Sequence, residues 1–119
     1  MAVNEFYKSI GVDPTEVLHR FGNNEAMLEK FLIKFLKDPS FVSLEEAMEI
    51  SDWDAVFRAA HTLKGLSSNF DFKLLYELSA KIVEKYRATQ FEEIPLLFEQ
   101  LKVSYQTTIA SLKENFVVL

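Results

Sequence analysis

Apolar residues recur along this chain three and four positions apart, the spacing that gathers them on one side of an α-helix. The first such stretch is short, about Val3 to Ile10, and Gly11 ends it. Asp13-Pro14 reads as a cap followed by a first-turn proline, opening a second short helix to Phe21, where Gly22 stops it. Asn23 or Asn24 caps the next helix, Glu25 to Lys37, whose predicted buried face is Met27, Leu28, Phe31, Leu32, Phe35 and Leu36. Asp38-Pro39 closes it, because a residue before proline avoids helical angles. A helix from about Ser40 to Ile50 follows, with Leu44, Ala47 and Met48 inward. Asp52 or Ser51 then caps a helix from about Trp53 to Asn69. The pattern resumes from Phe72 to Tyr86 through Leu75, Leu78 and Ile82. It ends with a long stretch from about Glu92 to Glu114, through Ile94, Phe98, Leu101, Tyr105, Thr108 and Leu112. Pro95 falls in the first turn of that last helix, where a missing N–H costs little.

No segment alternates with period two for the length of a strand. Substantial helices with short connections predict an all-α fold, an antiparallel four-helix bundle carrying short additional N-terminal helices. The expected organisation is one domain over residues 1–119, with the short helices in about 1–22 and the bundle in about 24–115. The eleven phenylalanines are expected mostly in the core.

Composition narrows the function. A chain of 119 residues, 49% of them hydrophobic, can bury a core of its own. Cysteine is absent, which removes disulfides, thiolate zinc sites and cysteine nucleophiles together. The formal net charge of −5 argues against nucleic acid as a ligand. No apolar run approaches the ~18 residues of a membrane span, and the N-terminus lacks the pattern of a signal peptide. A cytoplasmic protein that does not bind membranes is expected.

The stretch from Phe57 to Phe70 carries the chemistry. On a helical wheel of about 100° per residue, Val56, Ala60, Leu63, Ser67 and Phe70 form one core stripe. His61 falls about 140° away, on the outward face, with Lys64, Ser68, Asp54, Gly65 and Arg58 around it. Phe57 lies at the border between the two faces. A lone outward histidine is ordinarily a solvated side chain, but three neighbours count against that here. Lys64, one turn along, can reach an anion held on the imidazole. Glycine at position 65 costs about 1 kcal/mol in a helix and returns nothing to the core, which makes sense if another protein must approach the backbone closely. Ser68 supplies a hydroxyl two turns away. Neutral imidazole is a good nucleophile near pH 7 and can hold a phosphoryl group covalently. No triad, glycine-rich phosphate loop or metal-ligand cluster accompanies it, so metal ions and acid–base groups would come from a partner. His19 has no motif around it and reads as a surface or packing residue. Glu45-Glu46 and Glu92-Glu93 read as solvated helix faces.

Ala60-His61-Thr62-Leu63-Lys64-Gly65 resembles the Ala-His-x-Leu-Lys-Gly signature of histidine-containing phosphotransfer (HPt) domains. The turn Ser51-Asp52-Trp53-Asp54 is similar to the acidic turn that opens the histidine helix in that family, and length and helix count also agree. The family often has a glycine ten residues after the histidine. Asp71 stands there in this chain, and either Asn69 or Asp71 can adopt the left-handed conformation that would end the helix.

The resemblance implies a phosphocarrier without autonomous catalysis, working in a two-component phosphorelay. His61 would be the phosphoacceptor, Lys64 would help hold the phosphoryl group, and Gly65 would give the partner access. Phe57, Arg58 and Ser68 are the expected partner-facing residues. The implied partners are the receiver domain of a response regulator, a histidine kinase, or both. The expected state is a free-standing monomer with no cofactor and no metal. The alternative function is an HPt-like helical module that docks a signalling partner without carrying phosphate. A small helical hydrolase is disfavoured by the absence of a triad, metal cluster or paired carboxylates.

Overall fold

The structure, a computed structural model, describes residues 2–116; Met1 and residues 117–119, which the expected domain range included, lie outside the described residues. Its regular structure is helical: α1 (Ala2–Ser9), α2 (Thr15–Arg20), α3 (Glu25–Phe35), α4 (Ser40–Glu49), α5 (Trp53–Asn69), α6 (Lys73–Arg87), a 3₁₀ turn (Phe91–Glu93) and α7 (Ile94–Asn115). The all-α expectation holds, and so do the helix positions, to within a residue or two at most ends.

Local chemistry explains these boundaries. The side chain of Asn24 accepts the Met27 N–H at 3.0 Å, and that of Asp52 accepts the Ala55 N–H at 3.1 Å, so each caps a helix N-terminus. Asn23 and Ser51, the other two candidates, instead take left-handed angles (φ 56° and 52°) and belong to the preceding exits. Asp13 acts one residue earlier than expected: Pro14 occupies the N-cap of α2, and the Asp13 carboxylate accepts from the Thr15 N–H and hydroxyl at 2.9 and 2.6 Å. The ends of α1, α2, α4, α5 and α6 share one device, a left-handed residue that lets a backbone N–H reach back five positions, whereas α3 runs out before Pro39 in bonds that reach back three. Asp71 (φ 57°) does this for α5, where Phe72 N–H donates to the Ser67 carbonyl at 2.9 Å. Position 71, not 69, is therefore the left-handed one.

The chain forms two compact units, residues 2–38 with 106–116, and residues 39–105. In the first, α1 packs on α3, and the core includes Phe6, Tyr7, Val17, Leu28, Leu32, Leu112 and Phe116. The Phe6 and Tyr7 rings meet edge-on at 4.9 Å. The sequence placed Met27 and Phe31 on the buried face of α3. They are exposed instead, 45% and 38%, because the α3 contact is the narrower stripe Leu28–Leu32–Phe35. Phe31 rests against Phe21 at 5.5 Å and beneath the Lys34 ammonium.

In the second unit, α5 packs between α4 and α6. The connections at 50–52 and 70–72 are three residues long, which makes each of these neighbouring pairs antiparallel. The first half of α7 joins α4. Phe41 stacks on Tyr105 at 4.0 Å, and Lys102 pairs with Glu45 at 3.1 Å. Leu44, Val56, Ala60, Leu63, Leu75, Ile82, Ile94 and Leu101 fill the core at 1% exposure or less. Met48 is only half-buried.

Candidate functional site

Helix α5 is the long, well-capped element of the second unit, and its inner stripe pins its rotation. With Val56, Ala59, Ala60, Leu63 and Ser67 buried, His61 has only the outward direction left, and it is exposed. Thr62 is exposed beside it and turns its hydroxyl back to the Arg58 carbonyl at 3.1 Å. Arg58 lies one turn before His61 and is exposed; Lys64 lies one turn after it and is half-buried. A half-buried stem with an ammonium tip suits a side chain that lies along the helix and holds its charge at the edge of the site. Gly65 is exposed, and a Cβ placed there would meet nothing within 4 Å. No neighbouring helix requires glycine at that position, and its backbone is open to solvent. Ser68 is exposed one turn further along.

Phe57 differs from the others. It is half-buried, held within the second unit by a ring from α6: Tyr86 stacks on it at 4.6 Å and 24°. Its ring also lies 5.7 Å from the His61 imidazole, tilted by 51°, and the Arg87 guanidinium lies over it at 5.5 Å. Tyr86 donates a hydrogen bond to Asp54 Oδ1 at 2.5 Å. That bond holds the phenol proton and, with the nearby Asp54 charge, pushes the Tyr86 hydroxyl above its ordinary value. Phe91, in the 3₁₀ turn, completes the cluster, at 5.9 Å from Tyr86 and stacked on Trp53 at 5.4 Å.

His61, Lys64, Gly65, Arg58, Ser68 and Phe57 thus share one side of α5. The sequence reading missed Tyr86 and Arg87, which α6 brings to Phe57, and Phe91, which the 3₁₀ turn brings to Tyr86. A signal for the first two was present. The α5–α6 hairpin turns at position 71, so residues roughly equidistant from it lie side by side; Phe57 is fourteen before and Tyr86 fifteen after.

The arrangement offers an accessible nucleophile, cations within a turn on either side, and a strip of bare backbone. Among the described residues no group of three or more His, Asp or Glu side chains is placed to hold a metal ion, and His19 is an exposed residue of α2. Among the same residues no helix is long and apolar enough to cross a membrane. The model of one protein family, described as the Hpt domain, matches residues 27–111. No curated protein and no solved structure matches the chain.

Proposed function

Because the chain belongs to the Hpt domain family, whose members relay phosphoryl groups on a histidine between kinases and response regulators, we propose that His61 is its phosphoacceptor. The carrying observation is the exposed imidazole in the middle of α5, with Lys64 one turn on and nothing but backbone at Gly65. An imidazole nitrogen attacks the phosphorus of a donor; the P–N bond forms as the donor group leaves with its bonding pair. An aspartate oxygen of a receiver domain then attacks the same phosphorus, and the imidazole departs with the electrons of the P–N bond. Lys64 balances the charge of the bound phosphoryl group, and a charge-assisted contact of this kind is worth about 1–3 kcal/mol. Gly65 leaves room for donor and acceptor to approach in line, since transfer needs near contact of the reacting atoms. Arg58, Ser68 and Phe57 border the surface that a receiver covers.

Phosphoramidate tests this without a protein partner. The wild-type chain should acquire one acid-labile, base-stable phosphate. His61→Gln should acquire none while its stability stays within about 0.5 kcal/mol, as for other exposed substitutions. Label retained in the variant would assign the chemistry to another residue.

A further inference from the structure

An exposed histidine on a helix has about four side-chain states open to it, two χ1 wells and two ring orientations, because the third χ1 well clashes with the preceding turn. Only some of these aim a given nitrogen at a donor. In this protein one side of the His61 ring is not free, since Phe57 packs against it at 5.7 Å. Phe57 is in turn backed by Tyr86, and Tyr86 is tied at its hydroxyl to Asp54 and flanked by Phe91. Asp54, Phe57 and His61 lie on the same side of α5, so the tyrosine from α6 spans the helix surface between its first turn and the turn that precedes the imidazole. Packing alone does not call for this residue. The core at this level is filled by Ile82 and Val83, and a tyrosine half in water adds little to it. A phenylalanine would supply the stack; the hydroxyl adds only the tie to Asp54.

We propose that Tyr86 is a positioning residue for phosphoryl transfer: stacked on Phe57 and hydrogen-bonded to Asp54, it holds Phe57 against the His61 imidazole and restricts the rotamers from which that ring reacts. This rests on the reading of His61 as phosphoacceptor. Releasing the restriction spreads His61 over about four states, so the rate falls by up to about fourfold.

The experiment compares the full chain with Tyr86→Phe, Tyr86→Ala and Asp54→Ala. Three quantities are read for each: the phosphorylation rate with phosphoramidate, the melting temperature, and the His61 ring signals and χ1 couplings by NMR. The wild-type protein should show couplings of one dominant rotamer and ring protons shifted by Phe57. Tyr86→Ala should move both toward free histidine and slow labelling by about two- to fourfold. Tyr86→Phe should recover most of the loss, and Asp54→Ala, which removes the acceptor, should resemble Tyr86→Phe. A folded Tyr86→Ala with unchanged couplings overturns the proposal, and so does a slower rate with unchanged couplings. Should Tyr86→Ala not fold, Tyr86→Phe and Asp54→Ala decide: unchanged His61 signals in both overturn it, and a smaller shift in the same direction supports it. A wild-type chain that takes no label refutes the phosphoacceptor reading itself, a result distinct from a labelled wild type with indifferent variants.

Discussion

Replacing Gly65 by glutamine should strengthen the fold and weaken exchange with a protein partner. Gly65 lies inside α5 at an exposed position, and an added Cβ meets nothing within 4 Å. The substitution therefore brings no clash. It removes the backbone entropy cost of a mid-helix glycine, about 1 kcal/mol against alanine, of which glutamine recovers roughly 0.5–1 kcal/mol. Unfolding entropy near 2.1 cal/mol/K per residue gives about 250 cal/mol/K for a chain of this size, so the melting temperature should rise by about 2–4 °C. The functional effect has the opposite sign. A glutamine side chain stands in the path of a receiver pressing on the backbone beside His61, and a misplacement of the reacting atoms by about 1 Å costs on the order of a hundredfold in rate. Phosphoramidate, being small, should label the variant at close to the wild-type rate. The assay is one protein with two phosphoryl partners, alongside a thermal melt. Equal losses by both routes would mean that Gly65 acts on His61 directly. No loss by either route, or a lower melting temperature, would refute the reasoning.

Other outcomes follow from the same geometry. Lys64→Ala should slow transfer or shorten the phosphohistidine lifetime while changing stability by no more than about 0.5 kcal/mol; if rate and lifetime both match wild type, the lysine is only a solvated charge. Thr89 sits in the left-handed region at φ 56°, a conformation costly for a β-branched residue, and ends α6. Thr89→Gly should raise stability by about 0.5–1 kcal/mol in a denaturant titration, the relief of strain exceeding the added freedom of the unfolded chain; a destabilised variant would contradict this. The Tyr86 hydroxyl, hydrogen-bonded to Asp54, is raised above the ordinary tyrosine value of 10.0. The corresponding stability is fully present below that value and is lost as pH rises through the higher value of the folded protein. The ring signals of Tyr86, followed by NMR against pH, should titrate above that ordinary value, and Asp54→Asn should lower the midpoint; an unchanged titration in that variant would separate the shift from Asp54.

What the sequence determined by itself was local. Helix spacing, a cap at 23 or 24 and another at 51 or 52, glycine exits and the outward direction of His61 all depend on residues within about five positions of one another, where backbone hydrogen bonds and sterics act. The core stripe of α5 was legible for that reason, and with it the shared side of His61, Lys64 and Gly65. Tertiary structure decided the rest. Met27 and Phe31 lie next to the true contact stripe of α3, and a periodic pattern several residues wide does not say which part a neighbouring helix covers. Asn69 and Asp71 were equally fit for a left-handed exit until the α5–α6 turn put the reversal at 71. Tyr86, thirty-two residues from Asp54, meets it only because two antiparallel helices set their axial register by packing. That register is a property of two surfaces fitted together, and no stretch of one helix carries it.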